Sequence, residues 1–363
     1  MNLRRQTRTV RIGSLQIGST HPIRVQSMTT TNTADAEATA AQIRTLEAAG
    51  CELIRVTVPN RESAGSLKRL KQAMTVPLIA DIHFDYRMAL LAMDAGVDKV
   101  RINPGNIGSE ERVREVLRAA KQRGVAVRIG VNSGSVEKDL LEKHGLPSPD
   151  ALAESALRHI RTCQDEQFDQ VVVSIKSTDV RTCLEANRRL AEQCDFPLHL
   201  GITEAGRPAY GSIKSAVGIG GLLLEGIGDT IRVSLTAPPE QEIPVAFDIL
   251  KATGARINSP ELVACPTCGR IDIDLEKLMA EIEERLAGET LPVRIAVLGC
   301  VVNGPGEASE ADIGIAGGGG MGILYRGGKA VARVKEKDMV DALLAEIEKI
   351  RAERAQAEPA AKS

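Results

Sequence analysis

Between residues 23 and 252 a short β-branched run is followed by a longer helical pattern eight times over, and no other feature limits the fold as much. The runs are IRVQSM (23–28), ELIRVTV (52–58), PLIADIH (77–83), KVRIN (99–103), AVRIGVN (126–132), QVVVSIKS (170–177), PLHLGIT (197–203) and TIRVSL (230–235). Between them lie stretches such as DAEATAAQIRTLEAAG and SEERVREVLRAAKQRG, amphipathic and ending in the glycine that favours a helix C-terminus. Eight strand–helix units over about 230 residues match a (β/α)8 TIM barrel, which needs roughly 250. An open, doubly wound sheet is the alternative arrangement of the same units.

The order changes after the last barrel helix, at INSPELVACPTCGR (257–270). Beyond it come an amphipathic helix (DLEKLMAEIEERLAG), a strand (VRIAVLG), a turn (NGPGE), two further strands (ADIGIAG and GILYRGGKAVARV) and a last helix (KDMVDALLAEIEKIRAE). The expected organisation is a barrel domain over residues 1–256, a small α+β domain over 261–355, and a frayed Ala-rich tail at 356–363. The glycine run at 317–320 lacks both the G-x-x-x-x-G-K-[ST] pattern and a strand–helix G-x-G-x-x-G, so it reads as a flexible hairpin turn rather than a phosphate loop.

No stretch of about 18 apolar residues occurs, and MNLRRQTRTVRIGSLQIG lacks the apolar core of a signal peptide, so a soluble, cytoplasmic protein is expected. A net charge of −2 exerts no general pull on nucleic acid or anionic membrane, and 2% aromatics without Trp leave few platforms for stacking bases. Any anion site must be local.

In a barrel the chemistry sits at the C-terminal ends of the strands, where alternate residues point inward. Three runs end with a polar residue two after a basic one: Arg55 with Thr57, Arg101 with Asn103, Arg232 with Ser234. Period two sets both members of each pair on one face. The other ends supply Asp81 and His83, Arg128 and Asn132 at equal parity, Lys176, and finally His199, Thr203 and Glu204. A single such charge is commonly salt-bridged or solvated. Five cations converging on one mouth need an anion, because gathered like charges repel and burying each costs several kcal/mol. Phosphate oxygens meet that need through charge-assisted hydrogen bonds of roughly 1.5 to 3 kcal/mol each. The barrel therefore reads as a binder of a small, highly anionic ligand, a diphosphate.

Seven cysteines in a chain without an export signal argue against a disulfide framework. Cys51, Cys163, Cys183 and Cys194 fall on or beside helix-like segments and read as small buried hydrophobes, which leaves Cys265, Cys268 and Cys300. The pair Cys265-Pro-Thr-Cys268 by itself fits a redox disulfide, half a zinc site or two corners of an iron–sulfur cluster. A zinc ribbon needs a second knuckle about 15 to 20 residues on, and a lone Cys300 follows instead, in GCVVNGPGE. Three thiolates without a fourth point to a cubane cluster with one distinct iron. Glu307, across a Gly-Pro-Gly turn, is the candidate for that iron.

The segments ADIHFD, VRINPGN, VRIGVN, SIKSTD, HLGITEAG, TIRVSLT, CPTCGR and GCVVNGPGE, in that order, resemble the bacterial 4-hydroxy-3-methylbut-2-enyl diphosphate synthase family of the non-mevalonate isoprenoid pathway. The match covers nearly the whole chain. The resemblance implies a TIM barrel followed by a sulfite-reductase-like α+β domain carrying a 4Fe-4S cluster on Cys265, Cys268, Cys300 and Glu307. It implies an iron–sulfur oxidoreductase that draws two electrons from flavodoxin or ferredoxin. Its substrate is 2-C-methyl-D-erythritol 2,4-cyclodiphosphate, opened and dehydroxylated to (E)-4-hydroxy-3-methylbut-2-enyl diphosphate as water leaves. By the same resemblance Glu204, Thr203 and His83 handle protons and position the leaving oxygen, while Arg55, Arg101, Arg128, Lys176 and Arg232 clamp the diphosphate. Asp81, Asn103, Asn132, His199 and Ser234 would bind around it, and Asn303 would lie by the cluster.

The segment INSPEL reaches about 20 Å fully extended, and a barrel is about twice that across. The small domain is therefore expected to serve the mouth of a second chain in a homodimer with two shared sites, as the resemblance also implies. A pterin-binding barrel of the dihydropteroate synthase type is a rival, but it leaves the cysteines unexplained. A zinc-ribbon nucleic-acid module, the non-enzymatic rival, lacks its second knuckle.

Overall fold

The structure is a computed structural model and describes residues 4–300 and 302–357. Two compact units divide the chain between Arg256 and Ile257. The first opens with an antiparallel hairpin, β1 (Val10–Ile12) and β2 (Leu15–Ile17), which the sequence reading did not include. Eight parallel strands follow: β3 (Arg24–Met28), β4 (Leu53–Thr57), β5 (Leu78–Ile82), β6 (Lys99–Ile102), β7 (Ala126–Asn132), β8 (Val171–Lys176), β9 (His199–Leu200) and β10 (Thr230–Ile231). Their order is β8-β7-β6-β5-β4-β3-β10-β9. A bridge between Val173 and Leu198 joins β8 to β9 and closes the barrel, which rules out the open sheet.

Alternation decides what each strand shows to either side. Outward residues such as Ile54, Val56, Ala80, Ile82, Val100, Ile129 and Val173 pack into one core with the surrounding helices. The helix Arg61–Gln72 is typical: Asn60 caps it by accepting from the Ser63 N–H, and Ala64, Leu67 and Leu70 turn inward. Such a cap is worth about 1 kcal/mol.

The inward residues stack in layers of four drawn from alternate strands, as the registers dictate. Lowest lie Leu53, Lys99, Val172 and Thr230, followed by Gln26, Ile79, Arg128 and His199. Above them come Arg55, Arg101, Ser174 and Arg232, then Met28, Asp81, Gly130 and Gly201, then Thr57, Asn103, Lys176 and Ser234. The hairpin β1–β2 closes the N-terminal end, with Val10, Ile12 and Ile17 packed on Leu53, Ile79, Ala126 and Val172.

The second unit is a five-stranded sheet, β11 (Glu261–Ala264), β12 (Arg294–Leu298), β13 (Ile313–Gly318), β14 (Met321–Arg326) and β15 (Lys329–Lys335), paired in that order. The first three strands are parallel and the last two antiparallel. Helices Leu275–Arg285 and Met339–Ala357 cover one face through Leu278, Ile282, Leu343 and Ile347.

Several expectations change here. GILYRGGKAVARV is a hairpin of two strands rather than one strand, because Gly327 and Gly328 both take positive φ and form a two-residue turn that matches strand twist. In the glycine run, Gly317 and Gly318 belong to β13, and the turn itself is Gly319 and Gly320. The NGPGE turn is a short helix, Gly304–Ser309, with Pro305 in its first turn. Gln356 and Ala357, expected in the frayed tail, continue the last helix, since Ala, Glu, Arg and Gln are all strong helix formers. The rest of that tail, 358–363, lies outside the described residues.

Candidate functional site

A cavity of about 210 Å³ opens at the C-terminal end of the barrel strands. Its origin is the layer of Met28, Asp81, Gly130 and Gly201, where two of four positions carry no side chain. A Cβ on Gly130 would meet Arg101 Nε at 2.7 Å, and one on Gly201 would meet Lys176 Nζ at 2.6 Å and the Arg232 carbonyl oxygen at 2.7 Å. The two glycines give up their volume to cationic side chains.

Arg55, Arg101, Arg128, Lys176 and Arg232 all line this cavity, with Asp81, His83, Asn132, Thr203 and Ser234. Asp81 organises the group: Arg101 Nη1 donates to it at 3.1 Å, Arg55 Nε lies 3.6 Å away and His83 Nε2 3.8 Å. Burial works against the Asp81 carboxylate, yet Arg55, Arg101, His83 and Arg128 outweigh it and hold its pKa well below the usual range. Burial, then repulsion from Arg232 and Arg101, brings the Arg55 guanidinium down to about 10 despite Asp81. Burial, followed by Arg128 and Arg55, pushes Lys176 well below an ordinary lysine. Among the described lining residues Asp81 is the one carboxylate.

Not every predicted residue reaches the cavity. His199 is fully buried below it, its Nδ1 2.8 Å from Thr230 Oγ1, so the structure does not bring it to the mouth. The parity was right, but the barrel's stagger lowers β9 to the level of Gln26 and Arg128. Asn103 is buried and its Nδ2 donates to Ser135 Oγ at 2.6 Å, at the start of the short helix Pro104–Ile107. Glu204, exposed, follows Thr203 with φ of 53°, a left-handed backbone uncommon for a non-glycine residue and shared here with Gln167, in the turn before β8.

Three residues were missed. Ser174 shares parity with Lys176 and was findable from period two. Met28 carries no charge to draw notice, yet its Sδ accepts from Arg55 Nη2 at 2.8 Å and lies 3.5 Å from Arg232 Nη1. Glu242 sits on a helix after the last strand, where no strand-end rule applies.

In the second unit β11 and β12 are adjacent and parallel, so Cys265 and Cys300, just past their ends, share one edge of the sheet. Cys265 Sγ accepts from the Gly299 N–H at 3.3 Å, and all three thiols are free. The Arg270 N–H and guanidinium lower the Cys268 thiol pKa, and the N–H groups of Asn303 and Val302 lower that of Cys300. The Arg270 pKa is raised, first by its hydrogen bond to the Cys268 thiol and then by the charges of Cys268, Cys300 and Cys265. Thiols already biased to thiolate are what an iron–sulfur cluster requires. Glu307 and Asn303 are both exposed, at the first turn and the N-cap of the helix Gly304–Ser309. Among the described residues no three His, Cys, Asp or Glu side chains close on one point as ligands of a single ion would. A cubane takes each ligand on a separate iron, and free thiols, those of Cys268 and Cys300 biased toward thiolate, are donors of the chemistry it requires. Cys51, Cys163 and Cys183 are buried as expected, and burial pushes the first two up to about 12.

A closed parallel barrel with a cationic mouth is followed by a unit that carries three free thiols, and the relatives it matches make the chain an oxidoreductase. The GcpE TIM-barrel domain matches residues 7–247 and the GcpE protein C-terminal domain residues 261–349. The chain belongs to the GcpE family. It is 54% identical over 347 residues to a 4-hydroxy-3-methylbut-2-en-1-yl diphosphate synthase (flavodoxin) of Geobacillus kaustophilus, covering 96% of this chain and 93% of that one. To the enzyme of the same description from Anoxybacillus flavithermus it is 52% identical, covering 97% of each. Among solved structures, a dihydropteroate synthase of Yersinia pestis aligns with 68% of this chain and 99% of its own, at 15% identity and TM-score 0.47.

Proposed function

We propose that the barrel cavity binds 2-C-methyl-D-erythritol 2,4-cyclodiphosphate and that Cys265, Cys268, Cys300 and Glu307 hold a 4Fe-4S cluster. The activity is that of the family's 4-hydroxy-3-methylbut-2-en-1-yl diphosphate synthases in isoprenoid biosynthesis. The ring is opened, two electrons enter, a hydroxyl leaves as water, and (E)-4-hydroxy-3-methylbut-2-enyl diphosphate results. The observation that carries this reading is five cations around one cavity with a single lining carboxylate. When bound, the cluster supplies the electrons and a Lewis-acidic iron for the leaving oxygen.

The chain's own groups divide the rest. Arg55, Arg101, Arg128, Lys176 and Arg232 bind the diphosphate, and Asn132 and Ser234 donate to its oxygens. His83, Thr203 and Glu204, at the rim, position the departing oxygen and pass it protons. Asp81, one layer nearer the mouth, aims Arg55 and Arg101. Asn103 orders the loop after β6, and His199 supports Thr230 and the floor. Asn303 flanks the cluster.

The electron donor is flavodoxin, as the relatives' description states of them. We further propose a homodimer with shared sites, a reading supported by the few residues between the last barrel helix, Glu242–Ala252, and β11. Among the described residues no helix is long and apolar enough to cross a membrane. Anaerobically purified protein tests the cluster: the expected result is a broad visible charge-transfer band and about four iron per chain, obvious against the weak aromatic absorption of a chain with three Tyr and no Trp. Stoichiometric zinc without sulfide would refute it.

A further inference from the structure

Arg232 stands in an unusual place for a clamp residue. The last paired residue of β10 is Ile231, and the seam between β10 and β3, where the barrel's two chain ends meet, has only the register pairs Thr230↔Arg24 and Ile231↔Val25. The Arg232 N–H still reaches the Leu200 carbonyl at 3.0 Å, but the backbone that carries Arg232 on to Ser234 and Leu235 has left the ladder. A cation that must meet a phosphate to within a fraction of an ångström needs support from elsewhere.

Glu242 gives that support. It is the first residue of the helix Glu242–Ala252 and is buried. Its Oε2 accepts from Arg232 Nε and its Oε1 from Arg232 Nη2, both at 3.3 Å, the two-pronged grip that fixes the plane of a guanidinium. Oε2 also accepts from Ser27 Oγ on β3 at 2.8 Å, and Oε1 from the Leu235 N–H at 3.1 Å. One carboxylate thus ties together β3, the chain beyond β10 and its own helix. Nη1 of Arg232 is left to point toward Met28 and the cavity.

By Coulomb's law alone a buried carboxylate beside an anion site opposes the anion. Its presence calls for a benefit that outweighs the repulsion, and the fixed guanidinium plane is that benefit. We propose that Glu242 is a positioning residue for substrate binding, acting through Arg232 by holding its guanidinium in the orientation that receives the diphosphate. This rests on the reading of Arg232 as part of the diphosphate clamp.

Glu242→Asp separates the two effects, because it keeps the charge and withdraws the reach. The cluster-loaded enzyme should show a substrate KM raised about tenfold with kcat changed less than about threefold, and melting and cluster spectra unaltered. In an Arg232→Ala background the same substitution should add nothing, since its target is gone. Glu242→Gln, which keeps an acceptor but drops the charge, should raise KM less than Glu242→Asp does. If it folds poorly, the aspartate pair alone decides the matter. An unchanged or lowered KM in Glu242→Asp, or effects that add in the double variant, would overturn the inference. If Arg232→Ala itself leaves KM unaltered, the clamp reading fails instead, and that outcome is read from the single variant.

Discussion

The two units solve the problem of presenting reactive groups in opposite ways. The barrel holds its groups inside, most of them on paired strands, in layers whose order follows from register, and its cations are mostly buried. The second unit holds its groups at strand ends and on a six-residue helix, where Cys268, Asn303 and Glu307 are exposed. The difference is one of where rigidity comes from. In the barrel the ladder supplies it and the cost is repulsion among like charges. In the second unit the proposed cluster would supply it, since loops fix thiols far less well than strands fix arginines.

The sharpest break between the two is complementation. Cys300→Ser should abolish activity and the cluster while the barrel still binds inorganic diphosphate, and Arg232→Ala should lose most diphosphate binding and activity while keeping the cluster. If sites are shared between chains, mixed dimers contain one site with both lesions and one with neither, so activity should partly return. Heterodimers that demonstrably form yet stay inactive would show that each chain serves its own barrel.

A smaller effect probes the barrel's rigidity. Gly201→Ala sets a methyl 2.7 Å from a backbone oxygen that cannot swing away, so it should cost about 1 to 3 kcal/mol of stability and weaken substrate binding. Gly130→Ala meets only the movable Arg101 guanidinium and should be milder in melting temperature. Equal melting losses would mean that the layer is less fixed than its register suggests.

The smallest effect is a proton count. Burial and its cationic neighbours hold the Lys176 pKa below its unfolded value, so the free cavity disfavours the charged ammonium. An arriving diphosphate restores the preference for charge and raises that pKa, so binding takes up protons and apparent affinity falls as pH rises. Calorimetry in buffers of differing ionisation heat should report uptake of up to about one proton per site, lost in Lys176→Gln. Zero uptake at every pH tested would place the charge balance elsewhere.

The same contrast decides what could be read from sequence. Period two and β-branching carry strand identity and inward parity locally, so Arg55, Asp81, Arg101, Arg128, Lys176 and Arg232 were legible as one group. Stagger is not local: nothing in HLGIT tells that His199 lies below the cavity, because its height depends on pairing with strands far away in sequence. Glu242 was illegible for a related reason, being joined to Arg232 only by the fold. In the second unit the cysteine spacing was legible, but the doubled hairpin hid behind its Gly-Gly turn, and β1 and β2 are three-residue strands too short to show a period.

The apolar plug at the foot of the barrel carries a kinetic consequence. With Val10, Ile12 and Ile17 packed across the foot, the described residues open the vessel at the strands' C-terminal end, and what enters there leaves past the same cations. The newly formed diphosphate is still an anion when the reaction is over, so the charges that speed arrival also delay departure. Traffic through that opening, more than bond breaking, is where added salt should be felt during turnover.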